Sequence, residues 1–180
     1  MILENVLNIL DRYHARRVSD LSMSLARHLG LSEREVGLIG QGALYHDIGK
    51  IAIPTSLLES KDKFSEEERR LMQRHVEYGL SILSVYTGEV MEAAKVIVVS
   101  HHERWDGQGY PYGLMGEKIP LYGRIVAICD VFDALCSERP YKAAWPLGQV
   151  LDYIKSQSEK AFDPRLTEAF LQIIYEGAAV

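Results

Sequence analysis

Residues 7–30, LNILDRYHARRVSDLSMSLARHLG, set Leu7, Leu10, His14, Val18, Leu21 and Leu25 three or four positions apart. An α-helix returns to the same face every three to four residues, so all six share one stripe. Gly30 follows where a helix C′ residue belongs and is expected to close the helix. The odd member of the stripe is His14. A lone histidine on an apolar stripe is most often a hydrogen-bonded core residue, so its meaning depends on what the rest of the chain sends to the same place.

The helical period continues outward. Ser32 and Glu35 make an S-x-x-E capping box that opens a helix toward His46. Ile48 to Ile53 is too short for a helix of its own and leads to Pro54, which suits the start of a short helix, PTSLLES. Ser65 and Glu68 form a second capping box, and the helix behind it is expected to run to about Leu83. Glu89 to His102 is expected to be another helix, ending on a histidine doublet. Residues 103–121 then carry Gly107, Gly109, Gly113, Gly116, Pro111 and Pro120. A loop beyond ~12–15 residues in a compact domain is usually functional or disordered, and Trp105, Tyr110 and Tyr112 give this one enough packing surface for order. Helix resumes from Gly123 to Ser137. Pro146 and Pro164 each open a final helix, the second with Asp163 as its N-cap. No strand, repeat or low-complexity segment is evident. The expectation is an all-α single domain, residues 1–180, of about seven to nine helices with a long Gly-rich loop at 103–121.

The chain has 180 residues, 47% hydrophobic and 25% charged, an ordinary globular composition for one domain. A net charge of -5 argues against a nucleic-acid polymer as partner, though not against a small phosphate ligand, since bound cations and a few basic groups invert the local sign. No apolar run reaches the ~18 residues of a membrane span, and MILENVLNILDRYH lacks the parts of a signal peptide. A cytoplasmic protein is expected. Cys129 and Cys136, seven apart, form neither a CxxC pair nor a disulfide framework.

His46 and Asp47 are adjacent, Lys50 follows, and His75, His101, His102 and Asp130 are spaced behind them. Imidazoles with carboxylates are the ligands divalent transition metals take. His14, His75 and Asp130 lie on apolar stretches of three helices, and each would need its own buried partner. One shared cation cluster satisfies all three, which makes a two-metal hydrolase the leading expectation. Helical neighbours point about 100° apart, so His46 and Asp47 chelate one ion side by side only with difficulty. Asp47 bridging two ions ~3.5–4 Å apart, with His46 on one of them, removes the difficulty. At a helix end, relaxed backbone can turn both His101 and His102 inward.

Those segments resemble the HD-GYP domain, a branch of the HD metal-dependent phosphohydrolases. The resemblance rests on His46-Asp47-Ile48-Gly49-Lys50, on His75, and on the run His101-His102-Glu103 through Gly109-Tyr110-Pro111. It extends to Asp130-Val131-Phe132-Asp133-Ala134-Leu135 and Arg139-Pro140-Tyr141-Lys142, and covers about 12–170. It implies an HD-type helical bundle and a phosphodiesterase that hydrolyses cyclic di-GMP to pGpG, and in some members on to GMP. It also implies that His46, Asp47 and Asp130 hold one metal and that Asp47, His75, His101 and His102 hold the other. His14 matches a further ligand, Arg139 and Lys142 a phosphate-contacting pair, and Tyr110 a residue packed near the ligand. Relatives with three metals carry a glutamate where this chain has Leu10, so two ions are expected, with His14 either completing the first shell or facing it through water. Iron is favoured, with manganese or zinc as alternatives.

On that resemblance, a hydroxide bridging the two ions attacks phosphorus in line with the departing sugar oxygen. Asp47 holds both ions. Lys50 stabilises the scissile phosphate or donates to the leaving oxygen, and Asp133 orients a histidine ring or Lys50. Docking of GGDEF diguanylate cyclase domains on the 107–113 loop is a further implication of the family. The alternative function is a catalytically weak or inactive cyclic di-GMP receptor.

Overall fold

Residues 12–138 and 143–177 are described by the structure, a computed structural model. Among them the helices are α1 (Arg12–His28), α2 (Glu33–Ala43), α3 (Thr55–Leu58), α4 (Glu66–Gln73), α5 (His75–Leu83), α6 (Glu89–Val98), α7 (Leu121–Cys136), α8 (Leu147–Ser156) and α9 (Pro164–Gly177). Two 3-10 turns, Ile48–Ala52 and Gly116–Lys118, interrupt the connections. The described residues contain no strand, only the isolated bridges Asp106–Met115 and Ser158–Phe162. The all-α expectation stands.

The local signals act where the sequence places them. Gly30, at φ 76°, closes α1 with the Leu31 amide on the Ala26 carbonyl (3.1 Å) and its own amide on Arg27 (2.9 Å), a Schellman end. Both capping boxes form: Ser32 with Glu35 opens α2, and Ser65 with Glu68 opens α4. Asp163 caps α9 by accepting from the Arg165 amide at 2.9 Å.

Three expectations are corrected. The helix after Ser65 breaks at Arg74 instead of running through to Leu83. The His75 ring bonds the Met72 carbonyl (2.8 Å) and competes for the acceptor a continuous helix would use. The helix from Glu89 ends at Val98, not at the doublet, so His101 and His102 sit in a turn. Ile48–Ala52 is a 3-10 turn of its own rather than a plain connection.

α7 is the central helix and packs on α1, α2, α6, α8 and α9. Its apolar side chains Ile125, Ile128 and Phe132 meet Val18, Leu25, Ile39, Ile97, Ile154 and Phe170 in one core. A smaller cluster of Ile48, Leu83, Ala94 and Val98 seats the first 3-10 turn against α5 and α6. Polar residues that α1, α5 and α7 turn toward the gap between these two clusters therefore converge. No described helix is long and apolar enough to cross a membrane.

Candidate metal centre

Five segments feed one place. α1 supplies His14, the turn after α2 supplies His46 and Asp47, the head of α5 supplies His75, the turn after α6 supplies His101 and His102, and α7 supplies Asp130. The side chains fall into two groups: Asp47 with His75, His101 and His102, and His14 with His46 and Asp130. The ligand atoms within each group lie within 4.8 Å of one another. Asp47 joins the groups. Its Oδ1 faces His75 Nε2 (3.5 Å) and His101 Nε2 (4.0 Å), and its Oδ2 faces His46 Nε2 (3.3 Å). His46 Nε2 also lies 3.8 Å from Asp130 Oδ1, and His14 Nε2 lies 3.1 Å from the same oxygen.

The far side of each ring fixes what the near side can do. His46 Nδ1 lies 2.8 Å from the Ala43 carbonyl, His75 Nδ1 2.8 Å from Met72, and His101 Nδ1 3.1 Å from both Ile97 and Val98. A carbonyl only accepts, so each Nδ1 carries a proton and donates it. Nε2 of His46, His75 and His101, together with Asp47 Oδ1, is buried with no hydrogen-bond partner. Four buried polar atoms aimed at one space without partners would cost several kcal/mol in total. Divalent cations between them remove that cost, and mixed imidazole and carboxylate donors suit such ions. The residues present fit a pair of metals.

A family model described as HD domain matches residues 1–166 of the sequence. The chain belongs to the HD domain family. One relative is the cyclic di-GMP phosphodiesterase response regulator RpfG of Xanthomonas campestris pv. campestris, 47% identical over 156 residues, covering 87% of this chain and 41% of that protein. Another is 3'3'-cGAMP-specific phosphodiesterase 2 of Vibrio cholerae, 43% identical over 159 residues, covering 88% of this chain and 30% of that protein. The chain thus spans less than half the length of either relative. Among solved structures, Bd1817, described as a HDG"Y"P protein from Bdellovibrio bacteriovorus, matches with a TM-score of 0.71 at 23% identity, over 91% of this chain and 52% of that one. At that identity the match speaks to the fold.

In this HD domain the carboxylates are held ionised. Burial raises Asp47 and Asp130, but Lys50 and His46 outweigh it at Asp47, as do His14 and His46 at Asp130, and both end well below the usual carboxylate range. Burial lowers His14, yet Asp130 and Asp133 carry it up to about 9, and Asp47 and Asp130 likewise raise His46. Burial dominates at His75 and His101, which are lowered, and at His102, which falls to about 4. These shifts set the pH response of chelator-treated protein. His75, His101 and His102 titrate lower folded than unfolded, so their contribution is intact above about 6.5 and is lost as pH falls below it. His14 titrates higher folded than unfolded, so its contribution is full below about 6.5 and is lost as pH rises through about 9. Urea midpoints measured against pH should therefore peak near pH 6.5. A midpoint rising steadily from pH 6 to 9 would contradict the assignment.

Lys50 lies one turn past Asp47 and pairs with its Oδ2, with the lysine side chain half-buried. The Tyr110 ring stacks on His102, with centroids 4.7 Å apart and planes 22° apart. Asp133 reaches His14 Nδ1 at 2.6 Å, so of the two partners open to it in the sequence, the structure places it on a histidine and not on Lys50. Arg139 and Lys142 lie outside the described residues, as does Leu10.

The 103–121 loop is ordered by a residue that sequence reasoning passed over. Glu103 is buried, and its two oxygens accept from the amides of Tyr112 (2.7 Å) and Leu114 (2.9 Å). Gly109 allows the return: a Cβ there would lie 2.4 Å from the Arg104 nitrogen and 2.6 Å from the His102 oxygen. The loop then docks on the body through the Trp105 and Asp106 amides, bonded to the Ala161 and Lys160 carbonyls. Beside His75 it walls a groove of about 370 Å³ with Val76, Leu80, Val99, Pro111 and Tyr112. Glu103→Gln leaves one of the two amides facing an NH2 donor, a loss of about 1.5–3 kcal/mol for a hydrogen bond to a charged group. The expected result is faster hydrogen exchange at 110–114 with unchanged metal content; unchanged exchange would show the loop is held by other means.

Proposed function

We propose that this domain, as a member of the HD-GYP branch, is a metal-dependent phosphodiesterase that hydrolyses a cyclic dinucleotide, with cyclic di-GMP as first choice and linear pGpG as product. The observation that carries the proposal is the set of buried, partnerless Nε2 and Oδ1 atoms converging on Asp47. Names of the relatives supply the substrate class, and the Gly109-Tyr110-Pro111 loop packed on His102 supplies the branch.

Two divalent ions, iron or manganese before zinc, would lower the pKa of water and neutralise charge on a phosphate between them. His46, His14 and Asp130 would hold one, His75, His101 and His102 the other, with Asp47 shared. Hydrolysis adds hydroxyl to phosphorus and a proton to the departing 3′ oxygen. Lys50, half-buried beside Asp47, places an ammonium where charge gathers on the phosphate oxygens or where that leaving oxygen needs a donor. Asp133 fixes the His14 ring through Nδ1. Arg139 and Lys142 would bind the substrate's phosphates, and Tyr110 would stack near a base. Docking of GGDEF cyclase domains on the 107–113 loop remains a separate proposal.

The relative named for 3'3'-cGAMP gives a second substrate a specific basis. Anaerobically metal-loaded protein incubated with cyclic di-GMP or with 3'3'-cGAMP, and analysed by chromatography, tests both. Linear dinucleotide from cyclic di-GMP supports the first choice, and cleavage of 3'3'-cGAMP alone replaces it. Tight binding without cleavage of either would make the domain a receptor.

A further inference from the structure

α1 and α7 cross with two matched pairs of residues. His14 and Arg17 are one turn apart on α1, and Asp130 and Asp133 are one turn apart on α7. His14 faces both aspartates: Nε2 toward Asp130 (3.1 Å) and Nδ1 on Asp133 Oδ2 (2.6 Å). Behind them, the Arg17 guanidinium forks onto both oxygens of Asp133, with Nε on Oδ1 at 2.6 Å and Nη2 on Oδ2 at 3.0 Å. Nη2 also donates to Ser137 Oγ at 2.9 Å, at the end of α7. The Asp133 side chain is 5% exposed and that of Arg17 46%, so a surface cation grips a buried anion that grips a ring facing the metal centre.

We infer that Arg17 is a positioning residue for the His14 side of the metal centre, acting through Asp133. A carboxylate that orients a ligand histidine can still rotate about its own χ2. A planar fork on both oxygens removes that freedom, and only arginine presents such a fork. Asp133 Oδ2 is thereby pinned where the His14 ring must present Nε2 toward Asp130 and His46, whose ring centroid lies 5.3 Å from that of His14. The Arg17 bonds to Asp133 and Ser137 both run to α7, the helix that carries Asp130 of the His14 group, so its influence is expected on that group of ligands. This rests on the proposed metal centre, and its test separates the two claims.

Titration of anaerobic wild-type protein with cobalt(II), followed by visible absorption and elemental analysis, should show two classes of ion. In Arg17→Ala one class should weaken roughly 10- to 100-fold, the usual effect of losing an outer-shell partner, while the other class keeps its affinity. Arg17→Lys, which keeps the charge but not the fork, should recover only part of the loss. The retained class reports that the variant is folded. Two unchanged classes in Arg17→Ala overturn the inference, and so does equal weakening of both, which would make Arg17 only a clamp between α1 and α7. Wild-type protein that takes up no cobalt refutes the metal centre itself, and the inference falls with it.

Discussion

Asp47→Asn is expected to abolish the proposed phosphodiesterase activity, a loss on the order of 10³-fold or more, and to leave the protein unable to retain a pair of ions. Its carboxylate has an oxygen on each side: Oδ1 toward His75 and His101, Oδ2 toward His46 and Lys50. Asparagine keeps the size and one acceptor oxygen, but its NH2 presents hydrogens to whichever ion it faces. One substitution therefore damages both sets of ligands. His75→Ala, by contrast, removes a donor from one group only and should leave the other ion in place. The cores around α7 and beneath the first 3-10 turn do not include Asp47, so circular dichroism should report a folded variant. Elemental analysis and a product assay on the same preparation decide the matter, and two ions bound to Asp47→Asn would refute the shared carboxylate.

Asp47 also illustrates what was legible in the sequence. Its place between the two ligand groups, one oxygen toward each, agrees with the expectation drawn from adjacency to His46, because helical neighbours diverge and a carboxylate has two oxygens. The structure makes both residues part of a turn, which eases the geometry while keeping the logic. Helix ends set by local chemistry were legible for the same reason: Gly30 at a positive φ, and Ser32 and Ser65 with their glutamates, need nothing beyond four or five residues. The break at Arg74 was hidden, because it depends on a ring bonding the Met72 carbonyl in place of a backbone amide. Arg17 and Glu103 were missed for a different reason. Arg17 meets Asp133 across 116 positions, and Glu103 is a carboxylate whose partners exist only after the loop returns. The remaining signal for Arg17 was its place one turn beyond His14. For Glu103 it was a charged residue directly behind the doublet.

Gly49→Ala is expected to give the largest loss of stability of any single methyl added to this chain near the site. A Cβ at Gly49 would lie 1.9 Å from the His75 carbonyl oxygen and 2.4 Å from the Gly79 nitrogen. Both are backbone atoms, so no side chain can swing aside; the 3-10 turn must lift off α5 by well over 1 Å to reach ordinary contact. Overpacking of a tight contact usually costs about 1–3 kcal/mol, and this one sits at the upper end because the obstacle is main chain. The displacement carries a functional cost too, since Asp47 precedes the turn and His75 heads the helix it leaves. Their 3.5 Å approach would open, and metal affinity should fall with stability. Gly37 supplies the internal control. It lies within α2, and a Cβ there meets nothing nearer than the Gln41 side chain at 3.9 Å. Gly37→Ala should therefore stabilise by about 0.5–1 kcal/mol through helix propensity. Urea denaturation of the two variants beside the parent should move the midpoint in opposite directions. A Gly49→Ala midpoint equal to the parent's, with both ions retained, would mean that the 3-10 turn does not pack on α5 as closely as the path of the backbone requires.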